Sequence, residues 1–288
     1  MLIRCEASLF KTLIGTLKDF ASFAMLNCNE SGLVMAAEYS ETEDSEAGPL
    51  LTLHIPKGEF QTFKHKNNVT LGLCIDTLSE ILQHVSCKNT LTLELTEYPS
   101  DTLSLLWHAN NNSRVSRFDL RLMDIGSRRL RDLSSDTSSE SQIPDIASQC
   151  FTVMISASEF QRICKQGSGV GKTVTLSVTN GKDAQAVLVF SVQGSRGTLT
   201  TQVEVRITLP EPKSDLVVKD VKKAKVIKEG FSMVSLISVT KAAVVSKQAQ
   251  VTLKIFPNRG LLVECGIGGS KGSARFYLSS LATVPDED

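Results

Sequence analysis

The chain lacks any apolar run long enough to cross a bilayer: the longest candidate, Met233 to Val245, is interrupted by Lys241 and falls short of the roughly 18 residues a membrane helix needs. It also lacks an excess of either charge. Lys and Arg total 31, as do Asp and Glu, so the formal net charge is zero and charge must act locally rather than through a polyanion-seeking surface or an acidic tail. The opening Met1-Leu2-Ile3-Arg4-Cys5-Glu6 has no basic patch followed by an apolar core and a small-residue cleavage site, which predicts a protein that is not secreted. The seven cysteines (Cys5, Cys28, Cys74, Cys87, Cys150, Cys164, Cys265) form no C-x-x-C pair and flank no histidine at ligand spacing. Buried reduced thiols are expected, with no metal and no disulfide framework.

Catalytic patterns are missing as well. His54, His65, His84 and His108 stand apart from any Cys or carboxylate at triad or zinc spacing, no Gly-x-Ser-x-Gly elbow occurs, and the carboxylates do not pair on an apolar background. No catalytic residue is assigned and a non-enzymatic protein is expected. The nearest approach to a cofactor motif is Gly167-Ser168-Gly169-Val170-Gly171-Lys172-Thr173, which would make a P-loop NTPase the reading from another functional class. It fails because Gln166 stands where the first glycine belongs, and because a helix is predicted before the glycines and a strand after them, the reverse of a phosphate-binding loop. A helix C-cap and turn is the better reading, and no cofactor is expected.

What is present suits two domains: 288 residues with 41% hydrophobic content. Composition changes most sharply over residues 126–149, where seven serines accompany almost no periodic apolar signal, so the division runs 1–125, a connector 126–149, and 150–288. The acidic stretch Ser40 to Gly48 reads as a solvated loop, and Glu211 to Lys228 as an exposed strand plus turn.

The two halves repeat each other at an offset of about 150 residues. Ala7-Ser8-Leu9-Phe10-Lys11 matches Ala157-Ser158-Glu159-Phe160-Gln161, each after a short strand pattern and before a helix. Within each half the unit recurs more faintly. Leu78, Ile81, Leu82 and Val85 have helical spacing after a Thr77-x-x-Glu80 capping box and lead into the alternating strand Thr90 to Leu95; Ser235 to Val245 followed by Val251 to Ile255 is the counterpart. The pattern predicts four short helices between strands, in an α+β chain richer in strand than in helix. Basic residues recur on those helices, with Lys11 and Lys18 on the first, Arg162 and Lys165 on the third, and Lys241 and Lys247 at the fourth. Together they suggest one basic surface able to touch phosphates without reading bases.

Several strings then resemble the proliferating cell nuclear antigen family of eukaryotic sliding clamps. They are Leu17-Lys18-Asp19-Phe20, Leu51-Thr52-Leu53 with Gly58-Glu59-Phe60-Gln61-Thr62-Phe63, Asp101-Thr102-Leu103-Ser104-Leu105, Leu120-Arg121-Leu122-Met123-Asp124-Ile125, Ser158-Glu159-Phe160-Gln161-Arg162-Ile163-Cys164-Lys165, Val251-Thr252-Leu253 and Phe276-Tyr277-Leu278. They follow family order over nearly the whole chain.

The resemblance implies a homotrimeric ring of six similar clamp-type domains, with helices lining a hole around double-stranded DNA and antiparallel sheets outside. The ring would serve in the nucleus as a DNA polymerase processivity factor and a docking platform in replication and repair. Lys11, Lys18, Arg162, Lys165 and Lys241, with Lys247, would line the hole. Ile143, Pro144 and Tyr277 would bind PIP-box peptides of polymerase, clamp loader and other partners. Phe118, Ser116 and Leu199 would lie at the subunit interface, where Ser113 to Leu120 of one chain pairs with Gly197 to Val203 of the next. A subunit of a heterotrimeric checkpoint clamp is the alternative within the same architecture. Departures from the family pattern stand at Glu80 and Gln83, where lysines are usual, at Thr179 in place of the modified lysine with Lys182 nearby, in the longer acidic loop 38–48, and in the serine-rich connector.

Overall fold

The computed structural model describes residues 1–39, 49–65, 68–108, 114–126, 151–180, 185–208, 227–245, 250–256, 260–267 and 272–281. By its contacts the chain forms two compact units: Met1–Ser139 with Val245–Lys247 and Gly266–Arg275, and Glu140–Val244 with Gln248–Cys265 and Phe276–Asp288.

The first unit runs β1 (Leu2–Glu6), α1 (Ala7–Lys18), β2 (Phe23–Asn29), β3 (Gly32–Glu38), β4 (Leu50–Pro56), a 3-10 turn (Lys57–Glu59), β5 (Thr62–Lys64), β6 (Val69–Cys74), α2 (Ile75–Gln83), β7 (Thr90–Glu94), β8 (Thr102–His108) and β9 (Val115–Arg121). The second half of the chain, which makes up most of the second unit, runs β10 (Phe151–Ser156), α3 (Ala157–Ser168), β11 (Thr173–Asn180), β12 (Gln185–Gly194), β13 (Gly197–Thr208), β14 (Ile227–Ser232), α4 (Met233–Val245), β15 (Gln250–Phe256), β16 (Gly260–Ile267) and β17 (Gly272–Ser279).

The repeat read from sequence is a repeat of topology. In the first unit β6-β2-β3-β4 and β1-β7-β8-β9 are hydrogen-bonded runs; in the second the corresponding runs are β14-β11-β12-β13 and β10-β15-β16-β17. The four helices fall at the same two places, after the first strand and after the fifth of each eight-strand set. The first unit adds β5, paired with β1; in the second unit the tail of β13 fills that place, with Ile207 and Thr208 pairing to β10.

Helix formation follows apolar spacing. In α1 the residues Ala7, Leu9, Phe10, Leu13, Ile14 and Leu17 are buried, and in α3 Ala157, Phe160, Ile163, Cys164 and Gly167. At the offset of 150 residues Phe10 overlies Phe160 and Leu13 overlies Ile163, so one burial stripe is written twice. Buried Thr16 satisfies its hydroxyl by donating to the Thr12 carbonyl at 2.9 Å, a local bond that keeps a polar atom from being stranded in the core.

One expectation is corrected. Thr77 and Glu80 do not form the capping box of α2: the helix starts directly from β6, with Cys74 in the cap position and no side-chain cap bond, while Thr77 donates to the Cys74 sulfur at 3.3 Å. The helix begins three residues earlier than a Thr77 cap would set it, because the strand feeds it without a loop, and Thr77 is already inside. α3 does have a side-chain cap, with Ser156 accepting from the Glu159 amide at 3.2 Å. The acidic loop 40–48, the connector 127–149, Lys182, and all but the last two residues of 211–228 lie outside the described residues.

A second device repeats. After β9 the chain adds one bridge to the outer strand β6, with the Met123 amide donating to the Gly72 carbonyl at 3.0 Å; after β17 the Leu281 amide donates to the Gly230 carbonyl on β14 at 2.9 Å. Each glycine stands three residues before the second helix of its unit. The chain leaving each unit's last strand is thus strapped across the foot of that helix. In the second unit the strap is reinforced, since Ser280 donates to the buried carboxylate of Glu229.

Candidate nucleic-acid interface

α1 and α2 pack against each other in the first unit. Lys11, half-buried on α1, is not simply a solvated cation: its ammonium donates to the Val85 carbonyl at 2.6 Å, just beyond the C-terminus of α2. The bond satisfies a carbonyl at a helix end and sets positive charge where the helix dipole favours it. Lys18 is exposed in the last turn of α1. The helix pair also carries exposed Asp76 and Glu80 on α2, and exposed Asp19 follows α1.

On α3 both Arg162 and Lys165 are exposed. Arg162 donates to Glu159 at 2.7 Å, with 65% and 33% of the two side chains accessible, and this bond and the carboxylate charge hold the guanidinium more firmly protonated. An ion pair this open to solvent is only weakly held, so a phosphate can displace the carboxylate. The Lys165 ammonium makes no hydrogen bond or ion pair among the described residues. Lys241 belongs to α4, but its side chain, like Lys247, Ile143 and Pro144 entirely, lies outside the described residues. Elsewhere on α4 Val234 is 41% exposed and Ile237 half-buried.

The glycine-rich string has the order helix then strand, α3 into β11, the reverse of a phosphate-binding loop. Its glycines serve packing. A Cβ at Gly167 would lie 2.7 Å from the Met233 methyl, and one at Gly171 would lie 2.4 Å from the Gln193 carbonyl oxygen. Among the described residues no group of His, Cys, Asp and Glu is placed to hold a metal. Burial pushes the Cys164 thiol up to about 12, so it is no nucleophile at neutral pH.

Among the described residues β9 and part of β13 are open along one side, as the other terminal strands β5, β6 and β14 largely are. β9 ends its run, and among the described residues nothing pairs along its outer side. β13 pairs with β12 from Gly197 to Arg206 but meets β10 only at Ile207 and Thr208, so residues 197–205 present an open edge among the described residues. Phe118 and Ser116 share one face of β9, opposite Leu105 and Trp107, and both are half-exposed; Val115 is 51% exposed. Leu199 is half-exposed on β13. β9 also carries a small polar cluster. Ser104 donates to Asp119 at 2.6 Å and Arg117 to Asp119 at 2.9 Å, which together hold the Asp119 carboxyl below its ordinary range. Tyr277 is half-buried on β17. Sequence reasoning missed the Lys11 bond, the Glu159 partner of Arg162 and the two straps. Of these only the Glu159–Arg162 spacing of i, i+3 was visible in the chain.

Family models agree with this architecture. Residues 3–129 match the proliferating cell nuclear antigen N-terminal domain and residues 142–281 its C-terminal domain. A proliferating cell nuclear antigen from Chaetomium thermophilum is 25% identical over 274 residues, covering 95% of this chain and 95% of the relative. One from Dictyostelium discoideum is 27% identical over 274 residues, covering 95% and 96%. With both domain models matched in order over a doubled strand-helix-strand architecture, the chain belongs to the proliferating cell nuclear antigen family of DNA sliding clamps, which are scaffolds rather than enzymes.

Proposed function

We propose that three copies of this chain close into a ring around duplex DNA and act in the nucleus as a processivity factor for DNA polymerase. What supports the reading is that β9 and residues 197–205 of β13 each leave an edge open among the described residues, in a chain of the clamp family. Two different unpaired edges on one molecule favour head-to-tail joining, which closes when the rotation permits. Phe118 and Ser116 on one edge and Leu199 on the other are the proposed contacts. Lys18, Arg162, Lys165 and Lys241, with Lys11 and Lys247, are the proposed phosphate-facing cations, and weak, salt-screened contacts suit sliding. Ile143, Pro144 and Tyr277 are the proposed docking residues for PIP-box peptides, including those of polymerase and clamp loader.

The test is topological. Protein placed on a nicked circular plasmid by a clamp loader with ATP is expected to stay through gel filtration and to leave when the plasmid is cut once. Equal retention on circular and linear DNA contradicts encirclement.

A further inference from the structure

The described helical faces of the two units differ in charge. Taken over each helix and the turn that leaves it, the first unit sets Lys11, Lys18 and Lys88 against Asp19, Asp76 and Glu80. The α3 segment alone sets Arg162, Lys165 and Lys172 against Glu159. Position for position the charges do not repeat: Lys11 overlies Gln161, Thr12 overlies Arg162, Gly15 overlies Lys165 and Lys18 overlies Ser168. The Lys11 ammonium is also held at the end of α2. Its charge is therefore fixed within the helix pair, and Asp76 and Glu80 lie on the helix it braces.

Resting on the clamp reading above, we propose that the duplex backbone is gripped through α3, by Lys165 and by Arg162 after release from Glu159, while the α1–α2 face is electrically neutral and Glu80 keeps it so. Charges of opposite sign in equal number offset much of each other's field at a phosphate approaching that face, whereas the cations of α3 are set against only one acid. A neutral half-lining has a mechanical consequence. The grip comes once per chain rather than once per domain, which loosens the hold and lowers the barrier to sliding.

The experiment uses the full chain and a short fluorescently labelled duplex, with binding followed by anisotropy over a salt series. Lys165→Glu is expected to weaken binding at low salt by about fivefold or more, and Lys18→Glu by clearly less. Glu80→Lys is expected to strengthen binding and to steepen the slope of log affinity against log salt by about 0.9 for each additional phosphate neutralised. All three side chains are exposed, and unchanged solution mass and thermal melting verify folding. Equal losses for Lys18→Glu and Lys165→Glu, or a Glu80→Lys chain no tighter than the parent, overturn the asymmetric grip and leave duplex binding standing. No binding by the parent at low salt overturns both.

Discussion

α1 and α3 are built on one stripe and finished differently. Both bury an alanine at the first position and a phenylalanine at the fourth, and both turn an apolar residue inward at the seventh and eighth. One turn later Leu17 fills the core of the first unit while Gly167 leaves a gap in the second, into which Met233 of α4 reaches. Duplication thus preserved burial, which fixes the fold, and released the outer face, where charge can change without cost to the core. A repeat in the apolar pattern therefore predicts architecture twice over but not where the cations stand.

The equivalence of the two helices is most exposed to challenge at the shared stripe. Phe10 and Phe160 are 1% and 0% exposed, so Phe10→Ala and Phe160→Ala are each expected to cost about 3–5 kcal/mol in urea unfolding. A cost below about 1 kcal/mol at either site would show that the two cores are not equivalent.

The straps offer a finer distinction. At Gly72 an added Cβ would sit 2.1 Å from the Met123 carbonyl oxygen, a backbone atom that cannot swing away, whereas at Gly230 the nearest atom is 3.8 Å off. Gly72→Ala is expected to destabilise by about 1–3 kcal/mol and Gly230→Ala by under about 0.5 kcal/mol, read by thermal melting. Equal effects would refute the difference between the straps.

Each unit also holds a thiol whose ionisation burial opposes. Burial raises Cys28 from 9.0 to about 11 and Cys164 to about 12. Above 9.0 the unfolded thiols ionise while the folded ones stay protonated, so the native chain holds more protons and its stability falls as pH rises through that window. Melting temperature is expected to decline from about pH 9 upward, less steeply in Cys164→Ala; identical slopes would contradict the assignment.

Much of the fold was legible because burial writes itself locally. The four helices and the doubled order could be read from spacing alone, and Ser156 before Glu159 announces a real cap. What could not be read depends on distant chain. Lys11 meets Val85 across 74 residues, and the Met123 and Leu281 bridges each reach back to a glycine far earlier in the chain. Thr77 misled because its spacing to Glu80 imitates a cap, while the strand β6 runs straight into the helix and places it inside. For the interface, the strings that resemble the clamp family pointed to β9 and β13, but only the sheet order reveals which of their sides are open.

If those two edges join copies of this chain, its solution mass by light scattering over a concentration series should be three times the 31.3 kDa chain mass, shifting toward monomer in Phe118→Ala. A parent chain that stays monomeric at every concentration would contradict the homotrimer and turn attention to a ring completed by different subunits.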